Sequence, residues 1–394
     1  MNFTDEQLEI RELARDFAIG EIRPGVMAWD EARALDEAVF QKLGELGFLG
    51  MLVPEAYGGL DLDVTAYLLA LEQIAWGDAG VALTVAIQNG PLASFLLQNG
   101  SEQQKSTWLP RLASGEMVGA FALSEVGAGS DASALTAVAA ATESGWTLSG
   151  TKRWVTNGDL AGLAVVFARV DNASGETPIA AFLVDRDAVG YRVGRREKTM
   201  GLRASETVAV TLDAVKLEAD RAIRLEGDGF VPVLQALDLA RMSDAAISVG
   251  VAQAAFEHAT GYALEREQFG KPIADFGAIQ GKLADMATRI AAARALTHQV
   301  GVRFEAHRRG GGRPLEGGSE SLRAQAAMAK LAASEAAVWV ADEAVQIYGG
   351  YGYMRDYPVE KLLRDAKGLE ILEGTSEIMR LAIAREVIKE AKEG

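Results

Sequence analysis

Glu373 is a candidate general base. It lies just ahead of a predicted closing helix and directly follows Ile371 and Leu372. Apolar surroundings disfavour the charged form of a carboxyl group, so its pKa should rise towards values useful for proton removal. The alternative is a solvated glutamate stabilised by the helix dipole. Taken alone, this segment favours the alternative.

Two segments in the middle of the chain could hold a flat, polar ligand. Residues 121–131 (FALSEVGAGSD) read as the end of a strand followed by a loop of small residues, whose backbone N–H groups and hydroxyls could approach a ligand closely. Residues 154–158 (WVTNG) place Trp154 and Thr156 on one face of a strand before an Asn-Gly turn. An indole plane and a hydroxyl there could bind a heterocycle. The alternatives are a plain tight turn and a core tryptophan.

Two later segments mark helix ends with charged or aromatic residues. Residues 265–272 (EREQFGKP) end a helix at Gly270 and Pro272, and the guanidinium of Arg266 could hold a pyrophosphate. Residues 346–353 (QIYGGYGY) end another helix at paired glycines with aromatic neighbours. The alternatives are a surface arginine paired with glutamate, and a helix C-cap with packing aromatics.

Composition excludes several classes of protein and site. Lys and Arg number 39 against 55 Asp and Glu, a net charge of −16, which argues against binding to nucleic acid or to anionic membranes. The absence of cysteine excludes disulfides, thiolate metal sites and a cysteine nucleophile. The three histidines, His258, His298 and His307, show no metal-ligand spacing, so no metal site is expected. With no signal peptide or spanning segment recognised, a soluble, cytoplasmic protein is expected.

Periodicity divides the chain into three blocks that must position these residues. Residues 1–117 read as helical, with capping boxes at Thr4 and Ser101 and a helix break at Pro91. Residues 118–226 carry short β-favouring runs without intervening helices, which predicts an antiparallel sheet or barrel, with turns at 171–172 and 174–175. Residues 227–394 read as long, alanine-rich helices interrupted by a glycine-rich loop at 310–318. A Ser-x-x-Lys match ending at Lys152 has no companion motif, so chance is the favoured explanation.

Taken together, the five segments resemble the acyl-CoA dehydrogenase family of FAD-dependent flavoproteins over essentially the whole chain. The most diagnostic stretches are residues 122–134 (ALSEVGAGSDASA) and 346–365 (QIYGGYGYMRDYPVEKLLRD). The resemblance implies an α+β multidomain fold: an N-terminal α-helical domain (1–117), a middle antiparallel β-barrel-like domain (118–226) and a C-terminal four-helix bundle (227–394).

The resemblance also implies a reaction. Glu373 matches the family's catalytic base, which takes the pro-R α-proton of an acyl-CoA thioester while the β-hydride passes to flavin N5, giving a trans-2-enoyl-CoA. Some relatives carry the base at the position of Ala240, which cannot accept a proton. Nitroalkane oxidases have aspartate at the position of Glu373. The expected role is in β-oxidation of fatty acids or in amino acid catabolism, with an electron-transfer flavoprotein as acceptor.

Further contacts follow from the resemblance, residue by residue. FAD contacts are implied for Phe121, Leu123, Ser124, Gly129, Ser130, Trp154, Thr156, Arg266, Gln268, Phe269, Gln346, Gly349, Gly350, Thr375 and Glu377. Acyl-CoA contacts are implied for Ser130, Asp238, Arg241, Gly374 and Arg385. In the family, the segment around Arg266 reaches the FAD of a neighbouring subunit, which implies a homotetramer built as a dimer of dimers.

Departures from the family pattern leave alternatives open. Gly277 stands where many relatives have a glutamine near FAD, and Leu372 replaces a common tyrosine. The Leu-Glu-Gly sequence around Glu373 resembles branched, isobutyryl-type members and hints at short or branched acyl chains. The alternative functions are an oxidase-like or carrier-protein-linked flavoprotein, and a scaffold that has lost catalysis.

Overall fold

The computed structural model describes residues 2–171, 178–310 and 321–393. The predicted turns at 171–172 and 174–175 lie outside these ranges except for Asp171, and so does the predicted glycine-rich loop except for Gly310.

The N-terminal block is helical, as predicted, and both capping boxes are present. Its helices are α1 Asp5–Phe17, α2 Val26–Ala32, α3 Ala38–Glu45, α4 Val64–Gly77, α5 Ala79–Ile87, α6 Ser94–Asn99 and α7 Glu102–Ala113.

The predicted helix break at Pro91 is wrong. A π-helical turn, Gln88–Ala93, joins α5 to α6 and contains Pro91. A π turn shifts the hydrogen-bond pattern locally, so the missing N–H of proline is tolerated inside a continuous helix.

One stretch of the described residues is long and apolar enough to span a bilayer. It runs over Ala79–Asn99, and 89% of its apolar window is buried inside the protein. Burial of this kind is the property of a core helix, and α4 and α8 (defined below) both pack against it.

The middle block forms one eight-stranded sheet in the order β6-β7-β3-β2-β4-β5-β8, with β1 also paired to β4. Its strands are β1 Gly119–Ala122, β2 Val138–Ala141, β3 Gly145–Thr156, β4 Leu163–Asp171, β5 Ile179–Asp185, β6 Tyr191–Arg196, β7 Thr207–Glu218 and β8 Ala222–Ile223. The prediction of a purely antiparallel sheet is wrong in one respect, because β1 and β2 both run parallel to β4.

The two parallel pairings have a simple geometric cause. Gly119 to Ala122 pair with residues 163–166, and Val138 to Ala140 pair with residues 169–171. Strands β1 and β2 therefore lie end to end along one edge of β4, and the chain leaves the sheet between them over residues 123–137. This excursion contains most of the predicted ligand loop.

The C-terminal block is again helical and adds a small hairpin. Its elements are α8 Phe230–Glu265, β9 Glu267–Gln268, β10 Lys271–Pro272, α9 Gly277–Arg309, α10 Leu322–Tyr348, α11 Val359–Leu369 and α12 Ser376–Glu393. Helix α11 was not predicted. Helices α8, α9 and α10 pack side by side, and α11 and α12 both pack on α10.

The two helical blocks share one hydrophobic core. Residues of α4 and α5, such as Leu68 and Val85, belong to the same buried cluster as Ile247 of α8 and Val340 of α10. The sheet buries a separate core on each face, one including Phe167 and the other Phe182. Alanine is abundant in α8 and α10, and its small side chain lets the two helices approach closely.

Candidate active site

The loop that leaves the sheet after β1 is braced by a buried ion pair. Lys152 of β3 is fully buried, and its Nζ lies 2.8 Å from Glu125 Oε1 and donates to the Leu123 carbonyl at 3.0 Å. Glu125 also accepts from the backbone N–H and hydroxyl of Thr136 and from the N–H of Ala137. Burial opposes ionisation of Glu125, but these donors outweigh it and lower its pKa to about 2. The Ser-x-x-Lys match is thus part of the scaffold.

A backbone hydrogen bond next to this ion pair joins two of the predicted ligand segments. The backbone N–H of Arg153 donates to the Ser124 carbonyl at 2.8 Å. The next residue, Trp154, sits at an irregularity in the β3–β7 pairing with φ of 55° and is 53% exposed. Thr156 is half-buried two residues further on. Ser124 is also half-buried, so the bond at Arg153 places the start of the loop next to the end of β3 that carries Trp154 and Thr156.

Some residues of the predicted loop are placed differently. Phe121 lies in β1, and its ring packs against Phe95 and Phe167, so the loop begins after Ala122. The Leu123 side chain is also buried, which leaves only its backbone to meet a ligand. Gly129 and Ser130 are exposed on the loop.

Glu373 occupies a strained turn between α11 and α12. Its φ is 54°, and Gly374 follows with φ of 104°. A left-handed conformation at a residue other than glycine costs free energy and is found most often at functional sites. Burial raises the pKa of the half-buried Glu373 carboxyl, while Arg241 and Lys330 partly offset this effect.

The buried side chain of Lys330 stabilises the turn that carries Glu373. Lys330 of α10 is fully buried, and its Nζ donates to the Gly374 carbonyl at 2.9 Å. The same Nζ lies 3.5 Å from Asp244 Oδ2 of α8. The turn that carries Glu373 is therefore tied to two helices of the bundle.

The predicted acyl-CoA contacts Asp238 and Arg241 form an ion pair one turn apart on α8. Asp238 Oδ1 accepts from Arg241 Nη1 at 2.6 Å, and Arg323 Nε lies 3.3 Å from the other oxygen. Both members of the pair are buried. Burial raises the pKa of Asp238, although both arginines favour its ionised form.

Two predicted contacts lie on the closing helix α12, and a third, Thr375, directly precedes it. Thr375 accepts the N–H of Ile378 and so caps α12, and Glu377 is exposed in its first turn. Arg385 is exposed more than two turns further along α12, so this chain alone does not place it beside Glu373.

A pocket separate from the turn that carries Glu373, the second pocket, contains several predicted FAD contacts of the C-terminal block. It has a volume of about 520 Å³ and is lined by Tyr262, Arg266, Gln268, Ile273, Ile347, Tyr348, Gly349, Gly350, Tyr351 and Met354. Gln346 is exposed and lies outside this lining, and Phe269 is 94% exposed with φ of 53°.

The second pocket fits an aromatic, anionic ligand. The guanidinium carbon of Arg266 lies 5.5 Å from the Tyr351 ring centre, and within the described residues no carboxylate pairs with Arg266. A Cβ at Gly349 or Gly350 would meet open space. An unpaired guanidinium beside aromatic rings suits a pyrophosphate and its adenine. Gln280, near the departure at Gly277, donates to the Ala274 carbonyl.

Sequence reasoning missed Asp244, Lys330 and the Glu125–Lys152 pair. The available signal is a charged residue inside an apolar helical or strand pattern: Lys330 lies in an alanine-rich run and Asp244 on an apolar stretch of α8. Charged residues are almost never fully buried unless they are paired, so such positions indicate partners elsewhere in the chain.

Comparison with known proteins supports one family over the whole chain. The acyl-CoA dehydrogenase N-terminal, middle and C-terminal domain families match residues 4–116, 120–215 and 227–388. An acyl-CoA dehydrogenase of Bacillus subtilis is 42% identical over 98% of both chains. The mitochondrial short-chain specific acyl-CoA dehydrogenase of Bos taurus is 39% identical over 96% of this chain and 89% of that protein.

Solved structures agree with this result. Butyryl-CoA dehydrogenase from Megasphaera elsdenii has a TM-score of 0.92 and 37% identity, covering 98% of this chain and 99% of that one. A chain from a study of the electron-transferring flavoprotein of Acidaminococcus fermentans has a TM-score of 0.93 and 38% identity, covering 99% of both. The chain therefore belongs to the FAD-dependent acyl-CoA dehydrogenase family, and it is similar to short- and branched-chain members.

Proposed function

We propose that this protein dehydrogenates a short-chain acyl-CoA thioester to the trans-2-enoyl-CoA, with Glu373 as the base that removes the α-proton. The observation that carries the proposal is the placement of Glu373: a half-buried carboxyl with raised pKa, held in a strained turn beside a mainly apolar cavity. The similarity to short-chain and butyryl-CoA dehydrogenases supports the short acyl chain.

The residues around Glu373 explain how it can act as a base. An α-proton of a thioester is weakly acidic, so the accepting carboxylate needs a raised pKa and a fixed position. Burial raises the pKa of Glu373, and Lys330 fixes the following peptide through the Gly374 carbonyl. Arg241 and Lys330 oppose the rise, because their positive charges favour the ionised carboxylate.

We propose that FAD binds in two parts. Ser124, Trp154 and Thr156 hold the isoalloxazine ring, and the pocket at Arg266 holds the pyrophosphate and adenine of a neighbouring subunit's FAD. Bound FAD accepts the β-hydride of the substrate. Phe269 is 94% exposed in this chain, so its side chain is accessible to a neighbouring subunit.

Membership of this family also supports proposals for the oligomeric state, the electron acceptor and the cellular location. We infer a homotetramer, an electron-transfer flavoprotein as electron acceptor, and a cytoplasmic location. The similarity to the Acidaminococcus fermentans chain supports the acceptor.

A prolyl acyl carrier protein oxidase, with a TM-score of 0.90 and 29% identity, favours an oxidase linked to a carrier protein as the second candidate. Rapid oxidation of the reduced flavin by oxygen would favour that candidate.

Anaerobic titration of the flavin-loaded protein with butyryl-CoA tests the proposal. We expect the flavin absorbance to bleach in the wild type. Glu373→Gln should keep bound FAD and lose about 10²–10⁴-fold in the rate of bleaching. Glu370→Gln is the matched control, because Glu370 lies on the same turn and pairs with Lys367 at the surface. Unchanged bleaching in Glu373→Gln, or none in the wild type with any acyl-CoA, would contradict the proposal.

A further inference from the structure

A small cavity is lined by Glu373 and by a second ionisable residue, Asp244. Its volume is about 10 Å³, which is roughly the space of one water-sized group. Apolar residues form most of its wall: Leu83, Ala86, Ile87, Pro91, Ile247 and Leu372. Asp244 and Ser243 of α8 complete the lining together with Ala240 and Glu373. The cavity therefore has room for the end of a short chain only.

Asp244 is buried in this wall without a hydrogen bond. It is 1% exposed, and neither carboxyl oxygen has a hydrogen-bond partner. The Lys330 ammonium is 3.5 Å from Oδ2, too far for a strong bond, and it donates to the Gly374 carbonyl instead. A buried polar group left unsatisfied is costly, so its presence indicates a partner that arrives with a ligand.

Ser243, the other polar residue that α8 contributes to this lining, already has hydrogen-bond partners. Ser243 Oγ lies 2.7 Å from the Tyr67 hydroxyl and donates to the Leu239 carbonyl. Apart from Glu373, Asp244 is therefore the polar side chain of this lining that has no hydrogen bond within the described residues.

We propose that Asp244 is a specificity-determining residue that selects a short acyl-CoA whose chain ends in a hydrogen-bond donor, a hydroxyl or a protonated amine. This inference rests on the proposed function, since Glu373 must face the α-carbon for the cavity to receive the chain end. The α- and β-carbons give up the proton and the hydride. The donor must therefore be carried beyond the β-carbon, and the shortest chain that allows this has four carbons.

A purely structural role for Asp244 makes a different prediction. If Asp244 only balances the charge of Lys330, its substitution should change the rates with all acyl-CoAs by the same factor. If it binds the chain end, substitution should change the ratio of kcat/KM between substituted and unsubstituted acyl-CoAs. The ratio therefore separates recognition of substrate from positioning of the turn that carries Glu373.

The experiment compares butyryl-CoA, 4-hydroxybutyryl-CoA and 4-aminobutyryl-CoA on the FAD-loaded enzyme with an artificial electron acceptor. We expect the wild type to prefer one of the two substituted thioesters in kcat/KM by about tenfold or more. In Asp244→Leu the preference should fall by at least about tenfold. Ser334→Ala is the matched control, because Ser334 is equally buried, lies on α10 and does not line the cavity.

Each outcome bears on one proposal. No turnover of any thioester would overturn the proposed function itself. Efficient turnover with butyryl-CoA preferred over both substituted thioesters would overturn only the role of Asp244. If Asp244→Leu fails to fold, Asp244→Val, a smaller side chain that removes both carboxyl oxygens, must still change the ratio. An unchanged ratio in that variant would also overturn the role of Asp244.

Discussion

Three residues predicted to contact ligand or substrate share an unusual backbone conformation. Trp154, Phe269 and Glu373 have φ of 55°, 53° and 54°, although none is glycine. Such a conformation costs about 1–3 kcal/mol and persists only where the surrounding structure enforces it. At Glu373 the enforcing contact is the Lys330 bond to the Gly374 carbonyl. Sequence patterns indicated these residues by type but contained no signal for their strain.

The pH dependence of turnover follows from the environment of Glu373. The carboxyl must be ionised to accept a proton, and burial raises its pKa despite the opposing charges of Arg241 and Lys330. We expect kcat/KM to rise with pH through a midpoint above about 4.3, the ordinary value for glutamate. Arg241→Gln should move that midpoint upward, since it removes a charge that favours ionisation. A pH–rate profile of both proteins checks this expectation, and a downward shift would contradict it.

The stability of the protein should also depend on Asp244. Burial raises the pKa of Asp244 to about 8, with Lys330 opposing and Glu373 reinforcing the rise. Between about pH 4 and this value, the native state holds a proton that the unfolded chain releases. The contribution of Asp244 to stability therefore declines as pH rises, with a slope of up to about 1.4 kcal/mol per pH unit.

Asp244→Asn should remove most of this slope, because asparagine does not titrate. Urea unfolding at pH 5, 6 and 7 measures it, with Asp342→Asn, an exposed carboxylate on α10, as the control. A slope in Asp244→Asn equal to that of the wild type would show that Asp244 does not hold the proton.

At the scale of elements, the ligand loop depends on the Glu125–Lys152 pair. Lys152→Met leaves the buried Glu125 carboxylate without its ammonium partner, and we expect a loss of about 3–5 kcal/mol in the free energy of unfolding. The double variant Glu125→Gln, Lys152→Met should lose less, since no charge stays buried. Urea unfolding measures both, with Lys216→Met, an exposed lysine of β7, as the control. A double variant less stable than Lys152→Met would contradict this account.

Element types were predictable from local pattern, whereas the element partners were not. Apolar runs such as residues 163–168 identify β4, and capping boxes identify the starts of α1 and α7. The parallel pairing of β1 and β2 with β4 depends on contacts distant in sequence, which no local period encodes. Pro91 failed as a break for the same reason, because the buried surroundings of the π turn override local propensity.

The residues of the candidate site likewise divide into those that local motifs indicate and those that only packing brings together. Motifs indicated Glu373, Trp154 and Arg266 because each lies in a recognisable segment. Asp244 lies in no motif, and its relation to Glu373 arises only when α8 packs against the turn before α12.

At the scale of the whole molecule, the protein is acidic although its proposed ligands are anions, so positive charge is needed at the ligand sites themselves. The net charge of −16 disfavours the approach of an anionic thioester or dinucleotide. Arg266 beside its pocket and Arg241 near Glu373 supply positive charge where the proposed ligands would lie. Such local groups matter more than net charge, because salt screens surface charges over about 10 Å.

A buried lysine connects all three blocks of the chain. Lys361 of α11 lies 2.7 Å from Asp78 Oδ2 and 2.6 Å from Asp365 Oδ2. Asp78 caps α5 through the N–H of Val81, and Asp365 accepts the N–H of Leu202 from the middle block. The two carboxylates raise the pKa of Lys361 despite the opposing effect of burial, so it stays charged. This cluster fixes the helical blocks and the sheet against one another.

Lys361→Met should therefore destabilise the whole molecule by about 3–5 kcal/mol at pH 7, because two like charges would stay buried without a counter-ion. The deficit should shrink towards pH 5, since burial raises the pKa of Asp365 and its protonation relieves the repulsion. Urea unfolding at both pH values measures the effect, and Lys367→Met, an exposed lysine of the same helix, is the matched control. If the deficit stayed below about 1 kcal/mol, or did not shrink on acidification, the cluster would not hold the three blocks together. Loss of FAD and of stability over the same urea range would further show that the blocks unfold as one cooperative unit.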